Sequence, residues 1–310
     1  MEHSIRRHLN TAHGRVPLPA YVPVTTFGDK YPLDDLIRPY LPRLAYAAMV
    51  SFYYARQMKE RPSIPLFIDS GGYASLFSGV EVRSARGLGL LHWVDGNSFE
   101  VLHPRDVFEL QEQHADVAFT LDFPIPPSMS RREANRRVSL TVANAQWALA
   151  NRRRRDLLLY ACVQGLDLKQ YKECASEYVD LDFDGIAIGG LVPRASELSQ
   201  VFKIIDSVRE VLPDKPIHAF GLGKPDVVSA IYQRGVDSTD SSSYVQLAAR
   251  GRQWGSPDVQ LHDASAIERM HLALCNLAMA TQRTLPLSAS PLVFDSPILG
   301  MRSPQDRDHT

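Results

Sequence analysis

Leu157-Leu158-Leu159-Tyr160-Ala161-Cys162-Val163-Gln164-Gly165 is a continuous apolar run that stops on an amide and a glycine. A strand exposed on one face alternates apolar and polar residues, whereas a strand buried on both faces reads as one unbroken apolar run. Helical spacing follows over Leu168–Tyr178, and a second buried run, Gly185–Gly190, comes next. The unit is therefore strand, helix, parallel strand. The same unit recurs in both directions. Its apolar runs are Ala20–Thr26, Leu44–Phe52, Pro65–Asp69, Asp116–Asp122, Leu157–Gln164, Gly185–Gly190, Pro216–Gly221 and Gly235–Asp240. Helices are predicted over Arg131–Asn151, Leu168–Tyr178, Ala195–Leu212 and Lys224–Arg234, the last with a proline in its first turn. Eight strands alternating with helices predict an α/β chain folded as a (β/α)8 TIM barrel, although a doubly wound sheet shares the pattern.

Gly79–Leu102 breaks the pattern, with Asp95-Gly96-Asn97 as a turn signal, and predicts a hairpin inserted after strand three. His262–Arg283 reads as a further helix, and the proline-containing tail from Ser288 as loosely held. The expected division is a barrel over 1–254 and a helical extension with its tail over 255–310. The 310 residues are 45% hydrophobic and 22% charged, an ordinary globular composition. With 34 basic and 35 acidic residues the net charge is −1, which argues against bulk electrostatic nucleic-acid binding but leaves local patches open. Cys162, Cys174 and Cys275 are far apart, so neither a disulfide framework nor a Cys-x-x-Cys metal site is expected. No apolar run approaches the roughly 18 residues of a membrane span. Met1–Arg7 is followed by no apolar stretch, so no secretory signal is expected and a cytoplasmic location is.

In a barrel, chemistry collects where strands end. The predicted ends carry Asp69-Ser70-Gly71-Gly72-Tyr73, Asp122, Gln164-Gly165, Gly189-Gly190-Leu191, Phe220-Gly221-Leu222-Gly223-Lys224, and Asp237 with Asp240. That places three or four carboxylates, an amide and several backbone N–H groups at one mouth. Taken singly, each acid is as readily a turn or helix cap. Gln164 needs a partner for a buried amide, which a ligand edge or the backbone could supply.

These residues resemble the tRNA-guanine transglycosylase family. The resemblance rests on Asp69–Tyr73, Phe119-Thr120-Leu121-Asp122, Val163-Gln164-Gly165, Ile188-Gly189-Gly190-Leu191, Phe220–Asp226 and Gly235–Asp240, six segments in the family's order over Pro17–Arg252. It implies a TIM barrel and exchange of a guanine base in a nucleic acid. It implies Asp240 as the nucleophile on C1′ and Asp69 as the general acid/base. Asp122, Gln164, Gly190 and Leu191 would form the base pocket, with Ser70, Gly72 and Gly189 beside them. Tyr73 and Phe220 would sandwich the ring, and Lys224 would touch a phosphate. No redox or nucleotide cofactor is implied, and a homodimer or accessory modification proteins are plausible partners.

The chain departs from the family in two places. The family's Cys-x-Cys-x-x-Cys zinc cluster is missing. His271 and Cys275, four apart on a helix with His262 nearby, could face one metal but do not make a closed four-ligand site. After Asp240 the chain reads Ser241-Ser242-Ser243-Tyr244, with Arg250 and Arg252 further on, where the tRNA enzymes carry Pro-Thr-Arg. These departures favour relatives that insert 7-deazaguanines such as preQ0 into DNA over those acting on tRNA. A small-molecule barrel enzyme and a non-catalytic binding subunit are the competing readings. Arg131-Arg132, Arg136-Arg137 and Arg152–Arg155 read as solvated helix faces sooner than as a backbone track. Trp93, Trp147 and Trp254 read as packing residues, Trp254 also as a candidate single-strand contact.

Overall fold

The computed structural model describes residues 8–26, 32–95 and 98–282. Eight short strands form one sheet: β1 (Ala20–Pro23), β2 (Ala48–Ser51), β3 (Leu66–Asp69), β4 (Val117–Phe119), β5 (Leu158–Val163), β6 (Gly185–Ile188), β7 (Ile217–Ala219) and β8 (Ser238–Ser241). Seven of the predicted apolar runs contain one, and β8 extends one residue past the eighth. Neighbours pair in parallel from β8 down to β2, and β8 also pairs with β1. A parallel bridge between Val24 and Met49 joins β1 to β2 and completes the ring. The architecture is a (β/α)8 TIM barrel.

Side chains fill the barrel's interior, among them Val22, Met49, Phe67, Phe119, Tyr160 and Cys162. Leu9 and Val16, from the antiparallel hairpin His8–Thr11 and Gly14–Pro17, join this layer from below. A second apolar layer lies between strands and helices, where Val163, Ile186, Ile188 and Ala219 meet Tyr171, Val201, Ile205 and Val227. The helices Arg131–Ala150, Leu168–Ser176, Leu198–Val211 and Pro225–Tyr232 lie within or near the predicted spans. The long helix opens on Ser130, whose hydroxyl accepts from Glu133 N, and a second begins at Asp167, which accepts from Gln170 N.

The insertion after β3 is a three-stranded meander, not a hairpin: Val80–Ala85, Leu88–Asp95 and Ser98–Leu102. Its first turn joins Ala85 to Leu88 through Arg86 and Gly87, both at positive φ, the geometry of a tight primed turn. The second joins Asp95 to Ser98, and its signal residues Gly96 and Asn97 lie outside the described residues. Asn144 anchors the meander to the barrel. Its amide accepts from Gly89 N and donates to the carbonyls of Gly89 and Leu121.

The predicted last helix spans Ala266–Ala280 and opens with a Ser265–Glu268 capping box. It packs Met270, Leu274 and Leu277 into one apolar cluster with Tyr21, Leu41 and Tyr244. The tail from Ser288 lies outside the described residues. No described helix is long and apolar enough to cross a membrane.

Candidate active site

A cavity of about 740 Å³ opens at the C-terminal ends of the strands. Asp69, Tyr73, Asp122, Gln164, Gly189, Gly190, Leu191, Phe220 and Asp240 all line it. They come from β3, β4, β5, β6, β7 and β8 or the loops after them, so closing the barrel is what brings them together. No Lys or Arg is among the described lining residues.

Asp122 and Gln164 form the floor. Gln164 Nε2 donates to one Asp122 oxygen at 2.6 Å, and Ser70 Oγ donates to the other at 3.1 Å. Gln164 is fully buried, yet its Oε1 has no hydrogen-bond partner. A buried acceptor left unpaired is costly, and a ligand donor would satisfy it. Burial pushes the Asp122 carboxyl up to about 6. Asp69 stands beside it. Burial, then repulsion from Asp122 and Asp240, push its carboxyl up to about 7.

The glycines allow close approach. A Cβ on Gly72 would lie 2.0 Å from the Asp122 carbonyl oxygen, and one on Gly189 would lie 1.9 Å from Gln164 Nε2. Gly190 sits at φ +69°, and its carbonyl accepts from Arg194 Nη1 at 2.5 Å. Arg194 also donates to the carbonyls of Ile125, Gly165 and Leu166, and Tyr171 donates its hydroxyl to Gly189 O at 2.8 Å. These donors hold the loops after β4, β5 and β6 in one arrangement. The motif reading passed over Tyr171 and Arg194, because their role exists only in the folded loops.

Aromatic rings form the walls. Tyr73 is 54% exposed and meets Phe77 edge-on at 5.7 Å, so its ring is free to receive a flat ligand. Phe220 packs on Phe119 at 4.8 Å. Tyr53 and Trp93, in edge contact at 5.4 Å, add to the lining. Trp93 thus packs, as expected, but in the cavity wall. Trp147 packs on Phe108, and Trp254 joins the cluster around the last helix.

Asp240 is 8% exposed. One of its oxygens, Oδ1, accepts from Gly221 N at 3.0 Å and lies 3.1 Å from His218 Nε2. His218 is a site residue that sequence reading missed, because it sits mid-strand in β7 without a motif.

Asp237 was expected at the mouth and is not there. β8 begins only at Ser238, so Asp237 lies at the opposite end of the strand, where it accepts from Ile217 N and pairs with Arg209. Lys224, Arg250 and Arg252 lie outside the lining. Lys224 precedes the helix Pro225–Tyr232 and pairs with Asp226 at 2.9 Å, and both arginines are exposed. His271 Nε2 and Cys275 Sγ are 3.5 Å apart. Among the described residues no group of three His, Cys, Asp or Glu side chains could hold a metal, so those residues do not make a four-ligand zinc site. The arginine runs are more than solvated faces. Arg137 is 8% exposed and bonds Glu133, Ser75 and the Pro124 carbonyl. Arg152 pairs with Asp184, Arg153 with Glu112, and Arg154 holds the carbonyls of Glu112 and Ala115.

The profile of the family described as queuine tRNA-ribosyltransferase matches residues 55–277. The tRNA-guanine(15) transglycosylase of Methanothermobacter thermautotrophicus is 30% identical over 255 residues, covering 79% of this chain and 36% of that protein. The tRNA-guanine(15) transglycosylase of Methanococcus aeolicus is 32% identical over 192 residues, covering 56% and 29%. The queuine tRNA-ribosyltransferase of Rickettsia typhi is 28% identical over 262 residues, covering 75% and 68%. The chain thus spans about a third of the length of these archaeal relatives and about two thirds of the bacterial one. The matched segment runs from just after β2 to near the end of the last helix and holds every acid that lines the cavity; by that match the chain belongs to the queuine tRNA-ribosyltransferase family.

Proposed function

We propose that this chain is a pentosyltransferase that exchanges a guanine base in a nucleic acid for another guanine-type base, by two displacements at one sugar carbon. The observation that carries the reading is convergence. Asp69 and Asp240 face one cavity whose floor, Asp122 and Gln164, offers a planar acceptor-and-donor edge. The target nucleotide is extruded into the cavity, as enzymes acting on a base require. Asp240 attacks C1′. The C1′–N9 bond breaks, its electron pair leaves with guanine, and Asp69 supplies the proton that guanine takes up. The incoming base gives its proton to Asp69, bonds to C1′ and expels the Asp240 carboxylate. Two inversions retain the configuration. An acid held near 7 suits a group that must both give and take a proton near neutrality.

In this reading Asp122 accepts from the guanine N1–H and exocyclic amine. The second hydrogen on Gln164 Nε2 and the Gly190 N–H donate to the carbonyl edge, with Ser70, Gly72, Gly189 and Leu191 shaping the slot. Tyr73 and Phe220 sandwich the ring. In the same reading Lys224, Arg250 and Arg252, outside the cavity, meet the polymer backbone. The incoming base is a 7-deazaguanine such as preQ0.

The relatives' names favour tRNA as the polymer, and tRNA is the first substrate to test. DNA is the second. The reason to keep it is the lip at the end of β8, where Ser241, Ser242, Ser243 and Gln246 line the cavity without a cation.

The test is incorporation of labelled guanine into unmodified tRNA and, in parallel, into duplex and single-stranded DNA. Incorporation and a protein–polymer adduct are expected. Asp240→Asn abolishes the adduct and lowers exchange by a factor on the order of 1000 or more, and Asp69→Asn lowers exchange about 100-fold. Label in DNA alone would overturn the tRNA assignment. Label in neither polymer, with no adduct, would overturn base exchange.

A further inference from the structure

His218 is fully buried in the barrel's interior layer. It sits on β7, in register with Ser238 on β8. Ser238 and Asp240, two apart on β8, point to the same face, and His218 meets both. Its Nδ1 lies 2.8 Å from Ser238 Oγ and its Nε2 3.1 Å from Asp240 Oδ1. Aromatic rings close the other sides: Phe119 at 4.7 Å, Phe220 at 4.9 Å and Phe67 at 6.3 Å between centroids. The imidazole therefore has little freedom to tilt. A carboxylate that attacks as a nucleophile has no proton to give, so in the base-exchange reading Nε2 carries the hydrogen and donates it to Asp240. Gly221 N–H ends on the same oxygen, at 3.0 Å. Oδ2 receives neither donor.

We propose that His218 is a positioning residue that, with the Gly221 N–H, pins Oδ1 of Asp240 and so makes Oδ2 the attacking oxygen. The inference rests on the base-exchange reading and deepens it. A carboxylate free to rotate about its Cβ–Cγ bond presents either oxygen at a range of angles. Two fixed donors on one oxygen hold the other in a single orientation before substrate arrives, which removes part of the entropic barrier to attack. In the first displacement the Oδ2 lone pair forms the bond to C1′ as C1′–N9 breaks, and Oδ1 becomes the ester carbonyl oxygen. In the second, the C1′–Oδ2 bond breaks as the incoming N9 bonds to C1′. The pair of electrons returns to a carboxylate already held by two donors, which eases its departure. A polar ring in an apolar layer is otherwise a poor choice, since an apolar residue of similar size would pack there without needing partners.

The test compares His218→Leu, which keeps the volume and loses the donor, with His218→Gln, which keeps an N–H at similar reach. Adduct formation and steady-state exchange of labelled guanine are measured on tRNA and on DNA, with circular dichroism as the fold check. The expected result for His218→Leu is a kcat about 100-fold lower, the scale of removing one fixed donor, with the KM for guanine changed less than twofold. His218→Gln should recover at least tenfold of that loss. A kcat for His218→Leu within threefold of wild type, or no recovery in His218→Gln, overturns the proposal. If His218→Leu does not fold, His218→Gln decides: a kcat within tenfold of wild type supports the proposal and a hundredfold loss overturns it. An Asp240 adduct in wild type with His218→Leu at full rate sinks only the positioning role, whereas no adduct in wild type sinks base exchange and the positioning role together.

Discussion

Two sets of acidic residues sit at opposite ends of the same barrel. Below the strands, Asp116, Asp184 and Asp237 each precede a strand (β4, β6 and β8) and accept from the first or second amide of the neighbour: Leu66 N, Leu159 N and Ile217 N, all at 2.8 Å. Each also pairs with an arginine, Arg61, Arg152 and Arg209 respectively. Above the strands, Asp69, Asp122 and Asp240 face one another across a cavity, and among the described residues none pairs with Lys or Arg. The lower acids bind strand starts to arginines and have their charge answered within the protein. The upper ones are left for something outside the protein to answer. In the proposed reading one residue type serves stability at one end and chemistry at the other, and the difference lies in partners.

The largest effect that would test this contrast is at the lower end. Asp116 is fully buried and also accepts from His13 N, with the His13 ring at 2.8 Å. Asp116→Asn leaves Arg61 without its counter-charge, and the expected loss is about 3–5 kcal/mol in urea unfolding, with exchange per folded molecule unchanged. A loss below about 1 kcal/mol would mean that the pair holds little together.

At the upper end the expected effect is on rate. The proposed exchange needs Asp69 protonated to release guanine and Asp122 ionised to accept from it. With carboxyls near 7 and near 6, kcat/KM should be bell-shaped, falling about tenfold per pH unit above roughly 7 and below roughly 6. The two apparent values belong to the coupled cluster. Asp69→Asn should remove the alkaline limb from the residual activity; a limb that persists would assign it elsewhere.

The smallest effect is a gain. A carboxyl raised by folding binds its proton more tightly in the native state, so its stabilisation is present at low pH and lost as pH rises from about 4 to about 7. Asp69→Asn escapes that loss. It should therefore be more stable than wild type by about 1–3 kcal/mol at pH 8 and about equal to it at pH 4. Equal stability at both would mean that neither burial nor the neighbouring acids raise the Asp69 carboxyl on folding.

Local patterning was enough to find all eight strands and the four helices that follow β4, β5, β6 and β7, because a buried parallel strand must be apolar on both faces and that constraint is written residue by residue; it missed the helix Pro104–His114 and left the barrel open against a doubly wound sheet. Short motifs at strand ends marked Asp69, Asp122, Gln164, Gly190 and Asp240, since glycines and acids there follow from loop geometry and from chemistry. Three things were not written locally. Asp237 and Asp240 stand three apart on one segment, and only the register of β8 on β7 put one below the barrel and one at its mouth. Arg137, Arg152 and Arg154 look like solvent-facing charge in a linear reading, yet their partners Ser75, Asp184 and Glu112 come from distant stretches of chain. His218 gained its partners Ser238 and Asp240 only when two strands aligned 20 residues apart in sequence. Periodicity and motif report what a residue must be next to along the chain. Hydrogen bonds between strands and between loops depend on register and closure, and those exist only once the barrel has formed.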